Sequence, residues 1–138
     1  MISTGPERCS SMSEPRFLLD SNILIYLLKG VSKRAREHVE TCDPGELVTS
    51  AIAFAEVMRG IEPEDRVQIE GARRLFGLVA VLPFDIDAAS AYRRVPFKRG
   101  KFDRLIAGHA LALGLTLVTN NTEDFADVPG LRIENWTL

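Results

Sequence analysis

The chain has 138 residues, of which 46% are apolar and 26% charged. That is enough for one compact domain with its own core and too little for two ordinary ones. The formal net charge of -2 excludes a globally basic nucleic-acid binder, although an acidic site can mask a local basic surface in such a sum.

Residues 1–15 are rich in Ser and Pro without apolar periodicity and read as a disordered leader, with Met12 a candidate true start. Arg16–Asp20 reads as a buried strand, since Phe17-Leu18-Leu19 is an unbroken apolar run. A helix follows from Ser21 to Leu28, with Ser21 as N-cap and Ile23, Leu24, Leu27 and Leu28 at helical spacing. Ser32–Cys42 is a polar helix stopped by Asp43-Pro44-Gly45. Leu47–Ser50 is a short strand and Ala51–Gly60 a helix. Beyond the polar link Glu62–Asp65 come a helix over Val67–Leu78, a strand over Val79–Phe84 and a helix over Asp87–Arg94. A basic loop, Pro96-Phe97-Lys98-Arg99-Gly100-Lys101, precedes the helix Asp103–Leu113, which Gly114 caps. Leu115–Thr119 is a strand, and Leu131–Glu134 a final edge strand. Strands alternating with helices predict βαβ units on a parallel sheet, whose strand order the sequence does not fix. Cys9 and Cys42 fit neither a metal-ligand spacing nor a disulfide framework and read as free thiols. No apolar run reaches membrane-spanning length and no signal peptide is evident, so the expected location is cytoplasmic.

Four acids stand where apolar runs end or turn over. Asp20 closes Phe17-Leu18-Leu19, Glu56 lies just past Leu47–Ser50, Asp103 opens Leu105-Ile106-Ala107, and Asp124 follows Leu117–Asn121. A carboxylate in a segment that otherwise buries itself costs several kcal/mol unless a cation or donors compensate it, and the natural shared compensator of hard oxygen ligands is Mg²⁺ or Mn²⁺. Each acid also has an ordinary reading: Asp20 as a helix cap, Glu56 on an exposed stripe, Asp103 at a helix dipole, Asp124 in a solvated loop. Ligands of parallel sheets bind beyond the carboxyl ends of strands. Asp20 with Ser21 and Asn22, Ser50–Glu56, and Thr119–Asn121 all fall there, with Asn22, Thr119 and Asn121 as supporting polar groups. The dense positive charge is confined to Arg93-Arg94 and Lys98–Arg104. Lys98, Arg99, Lys101 and Arg104 are candidates for gripping phosphates, and Phe97 or Phe102 for stacking a base. His38 and His109 are not placed to cooperate as a metal-free pair.

Four stretches together resemble the blocks of PIN domains: Phe-Leu-Leu-Asp-Ser-Asn-Ile-Leu-Ile-Tyr-Leu, Thr-Ser-Ala-Ile-Ala-Phe-Ala-Glu-Val-Met-Arg-Gly, Phe-Asp-Arg-Leu-Ile-Ala-Gly-His-Ala-Leu-Ala-Leu-Gly and Leu-Val-Thr-Asn-Asn-Thr-Glu-Asp-Phe. With the ending Val-Pro-Gly-Leu-Arg-Ile-Glu-Asn-Trp, residues 16–138 resemble the VapC toxins of type II toxin–antitoxin pairs. The resemblance implies a three-layer α/β/α PIN-like domain with a central, mostly parallel sheet. It also implies a Mg²⁺- or Mn²⁺-dependent endoribonuclease that cleaves RNA phosphodiesters with metal-activated water and so inhibits translation or growth. Asp20, Glu56 and Asp103 match the three central acids and metal ligands. Asn121 occupies the place where many PIN domains carry an aspartate, leaving open whether it or Asp124 completes the catalytic set. The implied partners are an RNA substrate, a VapB-type antitoxin, and a second copy in a homodimer or larger toxin–antitoxin complex that reaches operator DNA only through the antitoxin. Two other readings compete. An aspartate-nucleophile phosphotransferase would want an acid at Asn22, and a catalytically degenerate PIN scaffold would bind RNA or a partner without cutting.

Overall fold

The computed structural model describes residues 13–138; Cys9, Met12 and the first part of the expected leader lie outside the described residues. Ser13, expected in the leader, is already paired. Its N–H donates to the Pro44 carbonyl at 2.9 Å, and its backbone packs so closely on Gly45 (φ +93°) that a Cβ there would collide with it.

The elements are β1 (Phe17–Leu19), α1 (Ser21–Lys29), α2 (Lys33–Glu40), β2 (Leu47–Ser50), α3 (Ala51–Arg59), α4 (Arg66–Leu78), β3 (Ala80–Leu82), α5 (Ile86–Ala91), α6 (Asp103–Leu113), β4 (Thr116–Val118) and β5 (Ile133–Glu134). Short 3-10 turns lie at Tyr92–Arg94 and Thr122–Phe125. All strand pairings are parallel, in the order β3-β2-β1-β4-β5. β1 is central, with Leu18 opposite Val48 on one side and Leu117 on the other. That position explains its unbroken apolar run, buried on both faces of the sheet.

The chain steps outward from β1 to β2 and β3, then crosses back to β4 and β5 on the other side of β1. Right-handed crossovers in opposite directions place their helices on opposite faces. Hence α1–α4 pack together on one side and α5 with α6 on the other, giving the expected three layers. The reversal opens a crevice between the carboxyl ends of β1 and β4, the usual ligand position in such sheets.

Local chemistry fixes the helix starts. Asp20, rather than Ser21, caps α1 by accepting from the Ile23 N–H at 2.9 Å. Ser32, Ser50, Asp65 and Asp85 cap α2, α3, α4 and α5 in the same manner. The Asp85 cap starts α5 at Ile86, one residue earlier than expected. On the second face, α6 approaches the start of the 3-10 turn at Tyr92 through Gly108, where an added Cβ would lie 2.9 Å from Tyr92 Cα. Trp136 closes the core at the C-terminal end, edge-on to Phe17 and stacked on His38.

Candidate active site

A cavity of about 220 Å³ opens at the reversal point, lined by Asp20, Ser21, Asn22, Glu56, Gly100, Lys101, Phe102, Asp103, Thr119, Asn121 and Phe125. Three carboxylates reach it from three separate elements. Asp20 ends β1: its N–H donates to the Val118 carbonyl at 3.0 Å, and its side chain then turns to cap α1. Because Ser50 both ends β2 and caps α3, strand runs into helix without a loop. Glu56 therefore sits on the second turn, about 8 Å along the axis at 1.5 Å per residue. Asp103 is the first residue of α6, where free N–H groups and the helix dipole favour a negative charge.

The electrostatics show an uncompensated cluster. Asp20 is 4% exposed, and its carboxyl is raised to about 6, chiefly by burial, with repulsion from Asp103 and Glu56 adding to it. The Thr119 side chain and the Ile23 N–H pull only partly the other way. One oxygen each of Glu56 and Asp103 is buried with no hydrogen-bond partner. Buried polar atoms are normally paired, and these two carboxylate oxygens keep lone pairs that no protein group satisfies. As placed, no group of three His, Cys, Asp or Glu side chains among the described residues is drawn together tightly enough to hold a metal. The donor set is nonetheless of the right chemistry for a hard divalent ion: carboxylates, a hydroxyl and an amide, all oxygen-bearing and sharing one cavity.

Asn121, not Asp124, lines the cavity. Asp124 stands behind it, accepting from the Asn121 side-chain amide at 2.7 Å and lying 3.9 Å from Lys101 Nζ. It reaches the site only through those two residues. Thr119 accepts from the Asn121 N–H at 3.1 Å, so the corner after β4 is held by its own side chains.

Of the four basic candidates, Lys101 lines the cavity, Lys98 lies farther out, 4.0 Å from Asp127, and Arg99 is exposed. Arg104 is a correction. It is 1% exposed, and its guanidinium donates to the Pro96 carbonyl (3.1 Å), the Asp124 carbonyl (2.8 Å) and Asp127 Oδ1 (2.8 Å). A guanidinium so engaged is a strut between the basic loop, α6 and the corner after β4, and has no face left for RNA. It holds the Asp127 carboxyl below the usual range. The histidines are apart. His109 is buried edge-on to Phe84 and held neutral by desolvation, whereas His38 stacks on Trp136.

Ser21 lines the cavity as its place beside Asp20 and Asn22 at the strand end leads one to expect, whereas Gly100 and Phe125 are lining residues that sequence reasoning did not single out. Those two carry no charge or motif by which lining could be read.

A parallel sheet flanked by helices, with three carboxylates lining one cavity at its reversal point, defines an α/β domain with a candidate metal-dependent site, and comparison with known proteins narrows the class. The PIN domain family model matches residues 17–131. A tRNA(fMet)-specific endonuclease VapC of Shigella flexneri is 36% identical over 134 residues, covering 88% of this chain and 98% of the relative. The structure of DNA-bound VapBC from Salmonella typhimurium superposes with a TM-score of 0.78 at 28% identity, over 88% of this chain and 98% of that one. VapBC-1 from nontypeable Haemophilus influenzae gives 0.73 at 30% identity with the same coverages. The chain belongs to the PIN-domain family, within its VapC ribonucleases.

Proposed function

We propose that this protein is a divalent-metal-dependent endoribonuclease acting as the toxin half of a VapBC pair, with Asp20, Glu56 and Asp103 as its metal-holding residues. The observation that carries the metal reading is the pair of unpartnered buried oxygens on Glu56 and Asp103, in the cavity where burial and repulsion raise Asp20. When bound, a divalent ion supplies Lewis-acid stabilisation of the charge that builds on a phosphodiester under attack by water.

The chain's own residues do the rest. Thr119 and Asn121 keep the corner after β4 in place, with Asp124 orienting the Asn121 amide so that its carbonyl oxygen faces away from that bond. Asn22 adds a neutral polar group at the start of α1. Lys101 at the mouth holds substrate phosphate against an otherwise acidic cavity, and Lys98 and Arg99 extend the cationic rim outward. Gly100 (φ +75°) lets the loop turn tightly between these cations.

The RNA class follows from the relatives: the Shigella protein is named for tRNA(fMet), so initiator tRNA is the first substrate to try. The solved relatives are VapBC complexes, one of them DNA-bound. By the same route this chain pairs with a VapB-type antitoxin, which makes the operator contacts. The test is cleavage of initiator tRNA by the purified chain in chelator, Mg²⁺ and Mn²⁺. Cleavage that is silent in chelator and restored by either ion is expected. Metal-independent cleavage would overturn the metal site, and binding without cleavage under any ion would leave a degenerate scaffold.

A further inference from the structure

A second cavity of about 510 Å³ adjoins the first, lined by Ile52, Ala55, Glu56, Arg59, Phe102 and Leu105. Glu56 and Phe102 line both cavities, so the two adjoin as the halves of a trough between α3 and the start of α6. The catalytic half is polar and acidic. The other half is lined by aliphatic side chains, with Arg59 one helical turn beyond Glu56 on α3.

Two of its features are unexplained by folding. Phe102 is 66% exposed, although a ring of that size is worth about 1.5–3 kcal/mol when buried. Arg59 is exposed and in no ion pair among the described residues. Phe97, the other exposed aromatic of the loop at 74%, lines neither cavity.

We propose that this second half of the trough receives an unpaired base of the RNA, next to the nucleotide whose phosphodiester lies over the acids, with Phe102 as its stacking face and Arg59 on the following phosphate. This rests on the ribonuclease reading above. The alternation of groups matches a single strand: Lys101 for one phosphate, the apolar trough for the base, Arg59 for the next phosphate. Base-on-aromatic stacking with flanking cations is the general means by which proteins hold unpaired nucleotides. Charge complementarity favours a polyanion here over an apolar partner, because Lys101 lines one cavity and Arg59 the other. Phe102 and Arg59 are thus positioning residues for substrate.

The test pairs protein variants with RNA variants. Initiator tRNA, and short single-stranded fragments spanning its cut site, are made with one abasic nucleotide at each position flanking that site. For the unaltered protein, an abasic nucleotide at one flanking position should raise KM roughly 5- to 150-fold, the range of one lost stacking contact. Phe102→Ala should raise KM for normal RNA by a similar factor and be indifferent to the abasic change, while Phe102→Trp retains discrimination. Arg59→Gln should flatten the salt dependence of RNA binding by about one phosphate, a slope change of roughly 0.7. Because Phe102 is exposed, the melting temperature should stay unchanged. Cleavage by the unaltered protein with no abasic discrimination at any flanking position would overturn the inference and leave the ribonuclease reading intact. So would a Phe102→Ala variant that cuts RNA normally and loses only antitoxin binding, which would make the trough a protein-docking groove. No cleavage of any RNA by the unaltered protein would strike the ribonuclease reading itself.

Discussion

Asp20 does two incompatible things: it caps α1 through Ile23, and it is buried beside two other carboxylates. A carboxyl raised from 3.8 to about 6 on folding binds more protons in the folded state between those values. Its contribution therefore destabilises the metal-free protein progressively as pH rises from about 4 to 6, reaching about 3 kcal/mol at 1.36 kcal/mol per unit. Asp20→Asn keeps an oxygen for the cap and removes the charge. In chelator at pH 7–8 the variant should melt at a higher temperature than the unaltered protein, with the difference vanishing near pH 4. Equal melting temperatures across that range would mean that burial, with the two neighbouring acids, does not raise the Asp20 carboxyl. Arg104 is the opposite case, a buried charge fully engaged. Arg104→Met should cost about 3 kcal/mol in denaturant unfolding, since two carbonyls and Asp127 lose a charged donor together. A loss under about 1 kcal/mol would deny it the role of strut.

Among the elements, α6 carries the tightest constraint. Alanine is favoured over glycine by up to about 1 kcal/mol inside a helix, yet Gly108→Ala would push a methyl against Tyr92 Cα, which is backbone and does not yield cheaply. A net destabilisation of about 1–3 kcal/mol is expected; a stabilised variant would show that α6 and the turn at Tyr92 can separate freely. The basic loop before α6 is graded. Lys101→Ala should weaken RNA binding more than Lys98→Ala, because only the former lines the cavity. Replacing Lys98, Arg99 and Lys101 together should lower the salt slope by about 2. An unchanged slope would return the loop to ordinary solvated surface.

At the scale of the molecule, much of this architecture was legible because its signals are local. Phe17-Leu18-Leu19 followed by Asp20 announces a buried strand and its end, and Ser32, Gly60 and Gly114 mark helix limits through caps. What brings Asp20, Glu56 and Asp103 to one cavity is the strand order, a non-local property that alternating elements leave open; the cost of burying carboxylates grouped those acids as sharers of one compensator, and the resemblance to PIN domains matched them to one site. Arg104 was misplaced for a related reason. It shares a charged stretch with Lys98–Lys101, but the helix turns it inward toward Asp124 and Asp127, and no one-dimensional pattern records that direction. The choice between Asn121 and Asp124 was open because both are polar and three residues apart. In the structure the 3-10 turn puts Asn121 on the cavity and Asp124 behind it.

The three carboxylates are held to act as one divalent-ion site that cuts RNA. The most direct check is the single-turnover rate of initiator tRNA cleavage against Mg²⁺ concentration, for the unaltered protein and for Asp20→Asn, Glu56→Gln and Asp103→Asn. Loss of a residue that merely orients a metal ligand typically costs 10- to 100-fold, so each of these variants should fall by roughly 100-fold or more at saturating Mg²⁺, while remaining folded. A variant that cleaves at the unaltered rate would remove that residue from the site. Undiminished cleavage by all three would contradict the shared metal site itself.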